Sequence, residues 1–164
     1  MKFFSEIVSK LWTNEISQED LVNNYKNKIT EKDIINGLEV AFNKKDEKET
    51  ESIFHIAFTF DLFTQESIQI LGKFISQTWH KQHEEIARVF QKLKNPNSIQ
   101  SIMEGVHIKC DYWFDNGDAF IRKCLYALAE INTSESISKI NILANDSNEI
   151  IKKYSLEQLK ELTK

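Results

Sequence analysis

Along most of the chain, apolar residues return every three or four positions; Cys124, Leu125, Leu128 and Ile131 are the clearest run. That spacing lays one apolar stripe along an α-helix and has no counterpart on a strand. It predicts N-terminal helices over residues 2–12, 18–28 and 31–44. Ser17 is placed as the cap of the second, with Asp20 three residues on, and Thr30 as the cap of the third. Further helical stretches fall over 51–63, 65–76, 81–94, 96–107, 118–131, 134–144 and, from a start near Asn148, to 162.

These later stretches repeat. The strings Glu66-Ser67-Ile68, Asn97-Ser98-Ile99 and Glu135-Ser136-Ile137 stand at offsets of 31 and 38 residues. In that register Ile56, Ala87 and Leu125 share a column, as do Phe58, Val89 and Ala127, and Leu62, Leu93 and Ile131. Leu71, Ile102 and Ile140 share another. Thr64, Asn95 and Thr133 coincide as well, and all three are good N-cap residues. Pro96 then falls at a first helical position, where its missing N–H is harmless. Each unit therefore reads as a helix A, a short polar turn and a capped helix B. Shifting by 31 also sets Leu125, Leu128 and Ile131 on Leu156, Leu159 and Leu162, a closing helix A with no partner after it. The expected organisation is one all-α domain: N-terminal helices to about residue 50, repeats at about 51–76, 80–107 and 118–144, and a closing helix at 148–162. Because paired helices bury their stripes by stacking, the expected architecture is a short α-solenoid.

Composition narrows the picture. The 164 residues include 4 glycines and 1 proline, where average usage gives about 11 and about 8. Such a chain lacks the tight turns of a β-sandwich or barrel. Its glycines stand too far apart for a phosphate loop. The net charge of −4 comes from interspersed signs, as in Lys44-Lys45-Asp46-Glu47-Lys48-Glu49, read as a solvated charged turn. Nucleic acid is accordingly a disfavoured partner, since its binders concentrate positive charge on one face. Two cysteines make no disulfide scaffold, and no stretch reaches 18 apolar residues. The expected setting is the cytoplasm, with no membrane partner.

The helical units resemble HEAT repeats of the short variety named for phycobilisome (bilin) lyases, over roughly residues 50–162. The signature is a basic residue early in helix A, followed by small and aliphatic positions. It stands in Ile121-Arg122-Lys123-Cys124-Leu125-Tyr126-Ala127-Leu128-Ala129-Glu130-Ile131, and more weakly in Ile86-Ala87-Arg88-Val89-Phe90. The first unit departs from it with Ile53-Phe54-His55. The run from Trp79 to Ile86, followed by the insertion that stretches the period to 38, resembles a bacterial HEAT-like subgroup. Some members of that subgroup resemble immunity proteins encoded beside polymorphic toxins. The resemblance implies a non-enzymatic protein-binding module, with a toxin domain, such as a basic nuclease, as the most concrete partner. It also admits a ligand-handling protein of the bilin-lyase type, or a general adaptor.

Candidate chemistry is sparse. His80, His83 and Glu84 can share a helix face, with His107 as a further metal ligand from another helix, but the spacing matches no zinc motif. The favoured reading is a partly buried pair that hydrogen-bonds between repeats and orients Trp79. Cys110 or Cys124 can pair with His107, yet Cys124 occupies an apolar column and Cys110 has only Lys109 nearby to activate it. No catalytic residue, metal or cofactor is assigned.

Within the insertion Asp111, Tyr112, Trp113, Asp115 and Asp118 are the expected partner-binding residues, because aromatics and acids make hot spots against a cationic partner. Alternatively the aromatics fold back between units and Asp118 caps the next helix. On the outer faces of the B helices lie Glu66, Gln69, Lys73, Gln100, Glu104, Glu135 and Lys139. Glu66, Gln69, Gln100 and Glu104 complete the expected contact set.

Overall fold

The structure, a computed structural model, describes residues 3–163, and these are helical with no strand among them. The helices are α1 (Phe3–Trp12), α2 (Gln18–Tyr25), α3 (Glu31–Lys44), α4 (Glu47–Phe60), α5 (Ile68–Phe74), α6 (His83–Leu93), α7 (Ile99–Gly105), α8 (Asp118–Ile131), α9 (Ser134–Leu143) and α10 (Glu149–Leu162). None of them is long and apolar enough to cross a membrane.

Caps set most of the boundaries. Ser17 with Asp20, and Thr30 with Asp33, form reciprocal capping boxes at the starts of α2 and α3. The three aligned caps all function: Thr64, Asn95 and Thr133 accept from the backbone N–H of Glu66, Asn97 and Ser136. The serines of the repeated Ser-Ile dipeptide explain why that dipeptide recurs. Ser67, Ser98 and Ser136 are fully buried beneath the turn. Ser67 and Ser136 accept from the N–H of their caps, and Ser98 and Ser136 donate to the caps' carbonyls. Thr64 also donates to the Glu31 carboxylate at the start of α3.

Several boundaries differ from expectation. The 65–76 and 96–107 stretches each open with a single 3₁₀ turn, Gln65–Ser67 and Pro96–Ser98, before the α-helix proper. The 81–94 helix starts only at His83, because His80 Nδ1 accepts from Gln82 N at 3.0 Å and holds a turn there. The 51–63 helix runs instead from Glu47 to Phe60. Asp46, inside the supposed charged turn, caps it through Glu49 N at 3.0 Å, and Asp61 ends it in the left-handed conformation with φ 56°.

By its contacts the chain divides into two compact units. The first holds the described residues up to Ile70 together with Trp79–Gln82. The second holds Leu71–Thr78 and the described residues from His83 onward. In the first, α1 and α3 both pack on α4. Glu49 is buried there, and its carboxylate accepts from Phe4 N at 3.0 Å and Ser5 N at 3.1 Å at the open start of α1. A carboxylate suits that position because it meets free N–H groups and the positive end of the helix dipole. Trp79 sits edge-on to Phe42 in this unit, and Lys81 pairs with Glu47 at 3.0 Å.

In the second unit α6 packs on α8, α8 on α10, and α9 on both α8 and α10. The central helix α8 accordingly buries residues almost all round, from Phe120 to Ile131. Two of the aligned columns, Ile56/Ala87/Leu125 and Leu71/Ile102/Ile140, have no exposure at any position. The closing helix departs from its alignment: α10 buries Ile151, Tyr154 and Ser155, while Leu156 is half-exposed. The Tyr154 hydroxyl, which donates to Asp118 at 2.7 Å, turns that helix by about one position from the expected register.

Candidate functional site

The insertion lies wholly within the second unit, between the end of α7 at Gly105 and the start of α8 at Asp118. Two features pin its entrance. Ile108 N donates to Gly105 O at 3.0 Å, and His107 Nε2 meets Asp146 Oδ2 at 2.7 Å. Burial pushes the Asp146 carboxyl up, but the bonds from His107 and Asn148 N outweigh that and hold it below the usual carboxylate value.

Its middle is anchored on His83, the first residue of α6, which has no exposure. The Nε2 of His83 lies 2.6 Å from the Gln77 carbonyl, and Nδ1 lies 2.6 Å from the Tyr112 hydroxyl. A carbonyl only accepts, so Nε2 carries the proton, and Tyr112 donates to Nδ1. This satisfies a neutral imidazole at both nitrogens. Burial raises the Tyr112 hydroxyl well above its ordinary pKa, keeping it a donor. Trp113 stacks on Phe120 with centroids 5.2 Å apart and planes at 24°, and the His83 ring stands edge-on to both.

Its exit is a cap. Asp115 Oδ1 accepts from Gly117 N and Oδ2 from Ala119 N, each at 3.0 Å. The Ala119 bond is the main reason its carboxyl stays below the usual value. Gly117 has φ 80°, and a Cβ there would stand 2.9 Å from Trp113 Cε3, so glycine is required both by conformation and by the packed indole.

The expected contact residues thus separate. Tyr112 and Trp113 face inward and are only partly exposed. Asp118 does not cap α8; Asp115 does, while Asp118 takes the bond from Tyr154. Asp111 and Asp115 remain exposed. Phe114, the third aromatic of the insertion, is fully exposed. Nothing in the sequence separates it from the two aromatics beside it, because which rings turn inward depends on His83, Phe120 and Gly117. Glu66 and Gln69 are exposed in the first unit, and Gln100 and Glu104 in the second, where Gln100 Nε2 donates to Glu104 Oε1 at 2.9 Å.

The groups weighed for other chemistry are held in structural roles. His80 stands edge-on to Trp79, but both histidines are fully buried rather than partly so, and His80 Nδ1 accepts from Gln82 N, two residues along the chain. Glu84 pairs with Lys123 at 2.7 Å, and His83 is occupied as described. Among the described residues no three potential ligands form a metal-capable group. Cys124 is fully buried. Cys110 is buried too, and its Sγ lies 3.8 Å from His83 Nε2 rather than against His107. Burial and the neighbouring Asp111 push this thiol up to about 11, the opposite of nucleophile activation.

No protein-family model, curated protein or solved structure matches this chain.

Proposed function

We propose that the chain is a non-enzymatic protein-binding module, built as a short HEAT-like α-solenoid, that grips its partner through the insertion between α7 and α8. The observation that carries this is the division of the insertion into an inner and an outer face. Its inner aromatics are locked onto His83 and Phe120, and its outer residues, Asp111, Phe114 and Asp115, stand in solvent on that braced base. A loop that served only to fill a gap between helices would turn all its aromatics inward. The packing order α6–α8–α10 with α9 alongside, and the buried aligned columns, support the repeat reading.

In its most concrete form the module is a cytoplasmic immunity protein that occludes a toxin domain. A net charge of −4 favours a basic partner such as a nuclease. The test is to co-express the chain with the product of the adjacent gene, measuring growth rescue and the mass of any complex by light scattering. A one-to-one complex and restored growth are expected. Unrelieved growth arrest with no complex would refute the immunity version.

A ligand-handling reading draws on one other observation. The first unit has a cleft of about 360 Å³ whose lining includes Phe3, Phe4, Ile29 and Val40, a size at the low end for small-molecule sites. Equilibrium dialysis against a bilin tests it, with no saturable uptake expected if the protein-binding reading holds.

A further inference from the structure

Resting on the protein-binding reading, we infer that Phe114 is the anchor of that interface, and that the partner offers it an apolar pocket rimmed by lysine or arginine. Among the described residues, the other large hydrophobics on the surface, Trp12, Val40, Ile142 and Leu156, keep between 44% and 58% of their area exposed, so each is still partly covered by its own fold. Phe114 alone among them is fully exposed. A phenyl ring buried from full exposure gives up its whole apolar area to a partner, where these half-covered side chains have only part of theirs left to give.

The base beneath it is already ordered. Tyr112 is tied to His83, Trp113 is stacked on Phe120, and Asp115 closes the start of α8. Little backbone freedom is then lost on docking, which is the condition under which a single side chain becomes a hot spot.

Charge selects the partner. Asp111 and Asp115 flank Phe114, and Asp115 remains ionised because backbone N–H groups hold its carboxylate. Two carboxylates beside an apolar tip oppose insertion into an anionic bilayer and favour a pocket with a cationic rim.

The experiment places a photocrosslinker at the tip. Full-length chain bearing Phe114→p-benzoylphenylalanine, or Leu156→p-benzoylphenylalanine as a control, is irradiated in the cells that encode it. The protein crosslinked at 114 is then purified and titrated with wild-type chain and with variants. Phe114→Ala is expected to weaken binding about 30-fold, the size of an ordinary hot spot. Asp111→Lys should weaken it less, with a loss that shrinks at high salt, and Val40→Ala should leave it unchanged. If a partner is found but Phe114→Ala binds as tightly as wild type, the anchor is refuted and the protein-binding reading survives. If neither position yields an adduct and no complex forms, both fail. Uptake by anionic phosphatidylserine vesicles that is lost in Phe114→Ala would overturn the protein pocket in favour of a membrane.

Discussion

Gly105 is the last residue of α7 and the doorstep of the insertion, and it lies against the side chain of Ile75. A Cβ on Gly105 would stand 2.8 Å from Ile75 Cγ1 and 3.2 Å from both Cδ1 and Cγ2. Elsewhere in a helix, Gly→Ala gains about 1 kcal/mol from propensity. Here the gain meets a β-branched side chain that is fully buried. Rotating χ1 of Ile75 to point its Cβ hydrogen at the new methyl would drive a γ carbon into the packed surroundings of a fully buried side chain. Relief requires α7 to withdraw by a few tenths of an ångström, and overpacking of this kind costs about 1–3 kcal/mol. After the propensity gain, Gly105→Ala should destabilise by about 1 kcal/mol, which in a chain of this size lowers Tm by about 2–4 °C.

Gly72 provides the contrast. Its Cβ would meet Ser101 Oγ at 2.5 Å, but that hydroxyl is the free end of a small side chain and can swing aside. Gly72→Ala should fall within about 0.5 kcal/mol of wild type. Urea unfolding followed by circular dichroism reads both. In a double-mutant cycle, Ile75→Ala should make Gly105→Ala less costly than it is in wild type. A Gly105→Ala variant more stable than wild type would refute the close approach of these two residues.

Asp115→Ala removes two backbone bonds at the start of α8 and should cost about 1 kcal/mol at pH 7. The Asp115 carboxyl has a lower pKa folded than unfolded, so its contribution is full above the unfolded value and fades as pH falls through the folded one. The gap between wild type and variant should therefore narrow in urea titrations as pH falls below the ordinary aspartate range. Glu49→Ala leaves the N–H groups of Phe4 and Ser5 without their acceptor and should destabilise by about 2–4 kcal/mol. Amide exchange should show α1 opening first, and Glu49→Gln, which keeps an acceptor oxygen, should recover part of the loss. Tyr112→Phe takes the hydroxyl from His83 Nδ1 and should cost about 1–3 kcal/mol, with faster proteolytic cleavage inside 106–117.

Where two groups that bond lie within three or four residues of each other, the chain could be read directly. Ser17 with Asp20 and Thr30 with Asp33 are of this kind, and α3 begins and ends where its pattern predicts. The aligned columns were legible for the same reason: helical periodicity is a local property. Glu49 was not legible. It sits in a charged run, and what makes it structural is a pair of amides 44 and 45 residues away. The insertion shows the same limit at the candidate site. Its acids and aromatics were visible as a set, but the inward turn of Tyr112 and Trp113 and the outward turn of Phe114 depend on a histidine 29 residues upstream of Tyr112 and on the left-handed glycine at 117. The rotation of α10 likewise follows from a tyrosine–aspartate bond spanning 36 residues, which no periodic pattern encodes.

The turns that open the three B segments carry a consequence for how such a chain can be lengthened or shortened. Each is closed by its own residues: Thr64 with Ser67, Asn95 with Ser98, Thr133 with Ser136. A cut at one of these turns and a join at the next would exchange one capped corner for another, and at Thr64 the bond left without its donor would be the one to the Glu31 carboxylate. Recombination between two such corners would thus add or delete a whole helix pair, whereas a gain or loss of one or two residues inside a helix would rotate every later side chain off its stripe.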